Sequence, residues 1–191
     1  MKSKIDEKVI AIKKEMYLNA TAEYIDKNGY KNLKISQLAK YLELSVGTIY
    51  NIFGSKEDLY SEYLILKLKN FLEELNNNET KEPIENLKVY LNAKYKIFIQ
   101  IDETKNYPVI NDPFFFHKLD VINHKIVDDI YSFLQRQFKL LFPECKYDYY
   151  HITILFKKFS DGFIESYLLK KYNNSNIVDE TIELFIKMFK N

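Results

Sequence analysis

The residues with the clearest chemical use lie between Lys34 and Leu59, in the run KISQLAKYLELSVGTIYNIFGSKEDL. Asn51 carries a donor and an acceptor side by side, the pair that adenine N6 and N7 require. Thr48 offers a hydroxyl that can meet a base or a phosphate. Gly47 has no side chain, so another molecule can approach its backbone closely. Lys56 falls where a helix should begin, so its ammonium and the unpaired amides of that first turn make an anion site. Val46 and Tyr50 complete a set that is small, polar or aromatic. Such a set suits base edges and phosphates.

No rival chemistry assembles elsewhere. No nucleophile has a base at a useful spacing, and no glycine-rich phosphate loop occurs. Cys145 is the only cysteine, which excludes an internal disulfide, and it lacks an activating context. His117, Asp120 and His124 stand at i, i+3 and i+7, a spacing that could gather metal ligands on one helical face. Two exposed histidines and an aspartate beside lysines give the same pattern. The expectation is no metal, no cofactor and no enzymatic activity.

The elements that must position the reading residues are short helices. Ile35, Leu38, Ala39, Leu42, Leu44, Ile49 and Phe53 recur at helical spacing and can close a small core with the preceding segment. Ser45 is placed to cap the second of two short helices. Ser55 with Asp58 three residues on reads as a capping box that opens a long third one. Two short helices and a tight turn form the layout of a helix-turn-helix, whose second helix enters the DNA major groove.

The run from Tyr17 to Leu59 also resembles the DNA-binding domain of the TetR (tetracycline-repressor-like) regulators. The marks are Asn28-Gly29-Tyr30, Leu38-Ala39-Lys40, Ser45-Val46-Gly47-Thr48-Ile49-Tyr50 and Phe53-Gly54-Ser55-Lys56-Glu57-Asp58-Leu59, without gaps between blocks. The resemblance implies that Tyr50 donates its hydroxyl to a phosphate. It implies DNA contacts from Lys34, Ser45, Val46, Gly47, Thr48, Tyr50, Asn51 and Lys56. Three positions depart from the family pattern. Val46 replaces a basic or polar residue, which loses a phosphate or guanine contact and can gain a thymine methyl contact. Glu43 stands where glycine is common, in a left-handed turn costing about 1 kcal/mol for a side chain. Lys34 replaces the hydroxyl that caps the first short helix, yet a lysine there can still meet a phosphate.

Composition adds bounds. The chain has 191 residues and a formal net charge of +1, so no global basic field marks a nucleic-acid binder. Positive charge must then be placed locally, almost all of it by lysine, since Arg136 is the only arginine. The N-terminal stretch is interrupted by charge every few residues, unlike a signal peptide, and no later stretch suits a membrane span. A cytoplasmic protein with no membrane partner is expected.

The rest of the chain reads as helix, with few glycines or prolines to interrupt it. The first helix should end at Asn28, with Gly29 as a left-handed cap. Later helices are expected over Thr80–Ile101, Phe114–Leu141, Asp148–Lys171 and Val178–Phe189. The fold class is all-α: a helix-turn-helix domain over 1–54, then a helical ligand-binding and dimerisation domain over 55–191. Tyr90, Tyr95, Phe98, Phe116, Tyr131 and Phe156 are candidate pocket residues, since small-molecule sites are mostly apolar with a few polar handles. Phe156, Phe159, Gly162, Phe163, Tyr167, Ile182, Phe185 and Phe189 are candidate dimer contacts. Gly162 would permit close helix approach there, and the family's last two helices form a four-helix interface. The resulting reading is a homodimeric, ligand-responsive regulator, a repressor by family resemblance. It binds a palindromic double-stranded DNA operator and is released by an apolar or aromatic small molecule, a cationic aromatic being one variant. An activator of the same fold and a non-enzymatic helical interaction protein are the alternatives.

Overall fold

Every regular element among the described residues is an α-helix. The structure, a computed structural model, describes residues 4–29, 33–104, 124–168 and 176–189. The helices are α1 (Lys4–Asn28), α2 (Ile35–Tyr41), α3 (Val46–Phe53), α4 (Lys56–Asn77), α5 (Pro83–Thr104), α6 (Lys125–Leu141), α7 (Tyr149–Leu168) and α8 (Ile177–Lys187). The chain divides into two compact units. Unit 1 includes the described residues up to Lys67, and unit 2 those from Leu68 to Glu103 and from His124 onward.

Unit 1 closes a small core from Ala22, Ile25, Leu33, Leu38, Ile49, Phe53, Leu59 and Leu64, all buried. Each such side chain contributes about 1.5–3 kcal/mol when fully removed from water. Polar contacts fix α1 on the first half of α4. Tyr63 Oη donates to Asp26 Oδ1 at 2.7 Å, Lys67 pairs with the other oxygen of Asp26, and Lys14 Nζ meets Glu62 Oε1 at 2.5 Å. Helix α1 ends as expected: Gly29 takes φ 82° and its N–H donates to the Ile25 carbonyl.

Unit 2 packs around rings. Phe156 lies 5.3 Å from Phe138 and 4.9 Å from Phe185, centroid to centroid, both near edge-on, an arrangement aromatic pairs favour. Leu87, Leu91, Phe133, Leu134 and Ile152 fill the space around them. A satisfied polar network closes the α4–α5 turn onto α6. Asn86 exchanges hydrogen bonds with the Thr80 backbone and donates to Gln137 Oε1 at 2.8 Å, and Gln137 reaches Glu79.

Helix boundaries differ from expectation at several places. Helix α5 starts at Pro83 rather than Thr80, because Thr80 is held in a turn by Asn86. Helix α8 runs from Ile177 to Lys187 rather than from Val178 to Phe189. Helix α6 begins at Lys125. His124 is extended (φ −141°, ψ 139°) and its Nδ1 accepts the Ile126 N–H at 3.1 Å, so it caps α6 instead of continuing a helix from Phe114. The three-ligand spacing on one helix therefore fails at His124, while His117 and Asp120 lie outside the described residues. No group of three or more potential metal ligands occurs among the described residues.

Candidate nucleic-acid interface

Helix α3 is built to present one face outward. Ile49 and Phe53 bury into unit 1, leaving Val46, Gly47, Tyr50 and Asn51 exposed and Thr48 half-buried. The turn before it is a Schellman closure of α2. Leu44 N–H donates to the Ala39 carbonyl at 2.8 Å and Glu43 N–H to the Lys40 carbonyl at 3.3 Å, with Glu43 at φ 56°. The strained residue is thus the glutamate the sequence pointed to. Lys34 occupies the α2 N-cap without a side-chain cap bond and is exposed.

Ser45 caps α3 as expected. Its Oγ accepts the Thr48 N–H at 3.0 Å and lies 2.8 Å from Thr48 Oγ1. These two hydroxyls are therefore committed to each other before any partner arrives. A hydroxyl keeps a second lone pair, so a phosphate or base contact by Thr48 extends this pair rather than replacing it. Tyr50 and Asn51 stand on the exposed face, and Lys56 is half-buried in the first turn of α4.

The start of α4 is more tightly specified than the sequence suggested. Ser55 N–H and Oγ both donate to Asp58 Oδ2, at 2.9 and 2.7 Å, while Asp58 N–H donates back to Ser55 Oγ at 3.0 Å. The Ser55 hydroxyl, and then its N–H, hold the Asp58 carboxyl below the usual carboxylate range. Gly54 takes φ 83°, and a Cβ there would sit 2.7 Å from Asp58 Oδ2. Reading by residue type missed this glycine's role; the adjacent Ser55–Asp58 box was the available signal.

Gly47 contrasts with Gly54. A Cβ added to Gly47 would meet only Ser45 Oγ, at 3.8 Å, and its φ is not positive. Nothing among the described residues calls for glycine there. Glycine in a helix costs about 1 kcal/mol relative to alanine, so the missing side chain points to something outside the chain.

The other expected residues fall into groups. Tyr90 and Phe156 are buried and in contact, centroids 5.8 Å apart. Tyr95 is buried with its hydroxyl 3.0 Å from Thr181 Oγ1. Tyr131 is edge-on to Tyr150 at 5.7 Å. The side chains of Phe98, Phe116 and Tyr167 lie outside the described residues. Of the expected dimer contacts, Phe156, Ile182 and Phe185 belong to the interior of unit 2 and have no surface to offer a second copy. Phe159, Phe163 and Phe189 are half-buried, and Gly162 is exposed. The most exposed aliphatic residues on α7 and α8 are Leu155 and Leu184, followed by Met188 at the C-cap of α8; helical spacing puts Leu155 on the same stripe as Phe159 and Phe163 but does not single out Leu184 or Met188. Also missed was a buried ionic cluster of Lys94, Lys157 and Asp161, because lysine on a helix reads as a solvated residue.

An all-helical chain whose first unit presents a capped, outward-facing α3 after a tight turn has the form of a helix-turn-helix DNA-binding regulator. Residues 18–63 match the family model of the bacterial regulatory proteins, tetR family. The N-terminal domain belongs to the TetR family, and the chain as a whole has the fold of TetR-family transcriptional regulators. The fatty acid degradation regulator FadR of Bacillus halodurans is 19% identical, with TM-score 0.66 over 91% of this chain and 94% of that one. FadR of Bacillus subtilis, solved with stearoyl-CoA, is 17% identical, with TM-score 0.64 over 89% and 96%. PfmR of Thermus thermophilus, a TetR-family regulator, is 18% identical, with TM-score 0.53 over 92% and 99%. No curated protein sequence matches the chain. No helix among the described residues is long and apolar enough to cross a membrane.

Proposed function

We propose that the chain is a homodimeric transcriptional repressor of the cytoplasm. It reads a palindromic double-stranded operator with α3 and is released by a small molecule bound within the domain that follows residue 54. The observation that carries this reading is Gly47: an exposed helical glycine that no described neighbour requires, at the centre of the reading face. In this reading Tyr50, Lys56 and Lys34 hold phosphates, with Ser45 and Thr48 supporting them. Asn51 reads adenine, and Val46 meets a thymine methyl.

Two recognition helices must sit about 34–36 Å apart to read successive half-sites, so a dimer is required. Gly162 supports one, since among the described residues a Cβ there would meet nothing within 4 Å, and Leu155 and Leu184 expose apolar surface on the same pair of helices. Support for an effector comes from the ring-rich interior of unit 2 and from the Bacillus subtilis neighbour solved with stearoyl-CoA. A coupling of about 1–3 kcal/mol, roughly 5–150-fold in operator affinity, is the ordinary scale for such control. A mobility-shift titration with the DNA upstream of the protein's own gene tests the reading. A retarded complex that disappears with Asn51→Ala or Tyr50→Phe at rising salt supports it. Equal retardation of unrelated DNA at every salt concentration sinks it.

A further inference from the structure

We propose that the inner face of α7 carrying Thr153, Lys157, Ser160 and Asp161, with Lys94 of α5 opposite, takes the carboxylate of an amphipathic small molecule. This rests on the effector reading above and names the headgroup chemistry that reading left open. Lys94, Lys157 and Asp161 are each more than nine-tenths buried. Charges are seldom buried unless paired, and here one carboxylate bridges two ammoniums among the described residues. Lys94 Nζ donates to Ser160 Oγ at 2.7 Å and to the Lys157 carbonyl at 3.2 Å, and lies 2.6 Å from Asp161 Oδ1. That last approach is close enough for an ion pair but not aligned as a hydrogen bond. Lys157 Nζ is 3.0 Å from Asp161 Oδ2. Both ammoniums are engaged, so an added anion would join a shared set.

Thr153 gives the cluster a direction. Its side chain is fully buried, and its Oγ1 has no hydrogen-bond partner among the described residues. Buried hydroxyls are normally satisfied, and an orphan calls for an explanation. Thr153 precedes Lys157 by four residues, which places both on one face of α7. A carboxylate oxygen beside them accepts from the Thr153 hydroxyl while its charge faces the ammoniums that Asp161 bridges. Apolar walls adjoin the cluster. The Tyr90 ring lies 5.6 Å from Lys94 Nζ, and the Phe156 ring lies 5.8 Å from that of Tyr90. Headgroup against cations and chain against rings describe an anionic amphiphile. A cationic aromatic would face two like charges at the same place.

The test compares probes of one chain length, octanoate, 1-octanol and octyltrimethylammonium, and extends the carboxylates from butyrate to dodecanoate. Thermal shift is read on the full chain and on Thr153→Val, Lys157→Met and Lys157→Arg. A carboxylate in the series should raise the wild-type melting temperature where the matched alcohol and ammonium do not. Thr153→Val should weaken that carboxylate about three- to tenfold, as loss of one hydrogen bond does. It should leave the probe-free protein as stable or more so. Lys157→Met should abolish the shift and Lys157→Arg should keep part of it. Three results overturn the site: alcohol and carboxylate acting alike, no carboxylate acting, or Thr153→Val lowering stability without a probe. Operator titration separates the two readings. A carboxylate that binds through Lys157 yet leaves operator affinity unchanged keeps the site and sinks the effector role. Release of operator by 1-octanol, undiminished in Lys157→Met, does the reverse.

Discussion

The two units solve opposite problems. Unit 1 buries a small, mostly aliphatic core and spends its polar groups on caps and on surface pairs between α1 and α4. Its reading face is left open, and Gly47 is open even to its own neighbours. Unit 2 puts rings in the middle and ionic groups beside them, with Lys94 and Asp161 both buried. The difference teaches where each unit meets the outside. A small domain with local caps can present a fixed surface. A ring-rich interior with buried charge has interior chemistry to offer.

The largest expected effect breaks unit 2 from within. Phe156→Ala removes a fully buried ring that touches Phe138, Phe185 and Tyr90. It should cost about 3–5 kcal/mol, seen as a lower urea midpoint by circular dichroism. A change under about 1 kcal/mol means the ring packs elsewhere.

Next comes the outer surface of the same unit. Leu184→Asp is exposed in the single chain, so it should spare the fold while splitting a dimer, because a charge would be buried without a partner. Light scattering at micromolar concentration should change from dimer to monomer. An unchanged mass, or a monomeric wild type, removes the α8 surface from the account. Phe159 is a poorer choice, since its ring also leans on Phe185 at 5.6 Å.

The caps of unit 1 give smaller effects. Asp58 has a folded pKa below its unfolded value, so its contribution is fully present above about pH 4, the unfolded pKa, and is lost as pH falls through the lower folded value. The melting difference between wild type and Asp58→Ala should therefore hold from neutral pH to about pH 4 and shrink below it. A difference that grows as pH falls contradicts the cap. The smallest effect is a gain. Glu43→Gly relieves φ 56° and should add about 1 kcal/mol, or roughly 2–4 °C in melting temperature. A loss of stability would mean that the glutamate side chain makes contacts outweighing the strain.

The same contrast explains what could be read from the sequence. Unit 1 was legible because its signals are local: Ser45, Ser55 with Asp58, and Gly29 all act within a few residues of themselves. Unit 2 was legible only as helices. Which rings face inward depends on contacts such as Phe138 with Phe185, 47 positions apart, and no periodicity fixes those. Phe156 and Phe185 were thus assigned to a dimer surface when they are core. Leu155 and Leu184 are the residues with surface. His124 misled for a related reason. Its helical spacing with His117 is real in the sequence, but an imidazole accepting a backbone N–H makes it a cap.

If the open face of α3 is shaped for DNA, Gly47→Leu should block it. Among the described residues a Cβ there would meet only Ser45 Oγ, at an ordinary 3.8 Å, and leucine is the better helix former. The measurement is an anisotropy titration of the upstream operator fragment with wild type and variant, at one fixed salt concentration. The variant should melt at or above the wild-type temperature and bind the operator at least about tenfold more weakly, roughly 1.4 kcal/mol. Operator binding equal to wild type by a folded Gly47→Leu protein would contradict it.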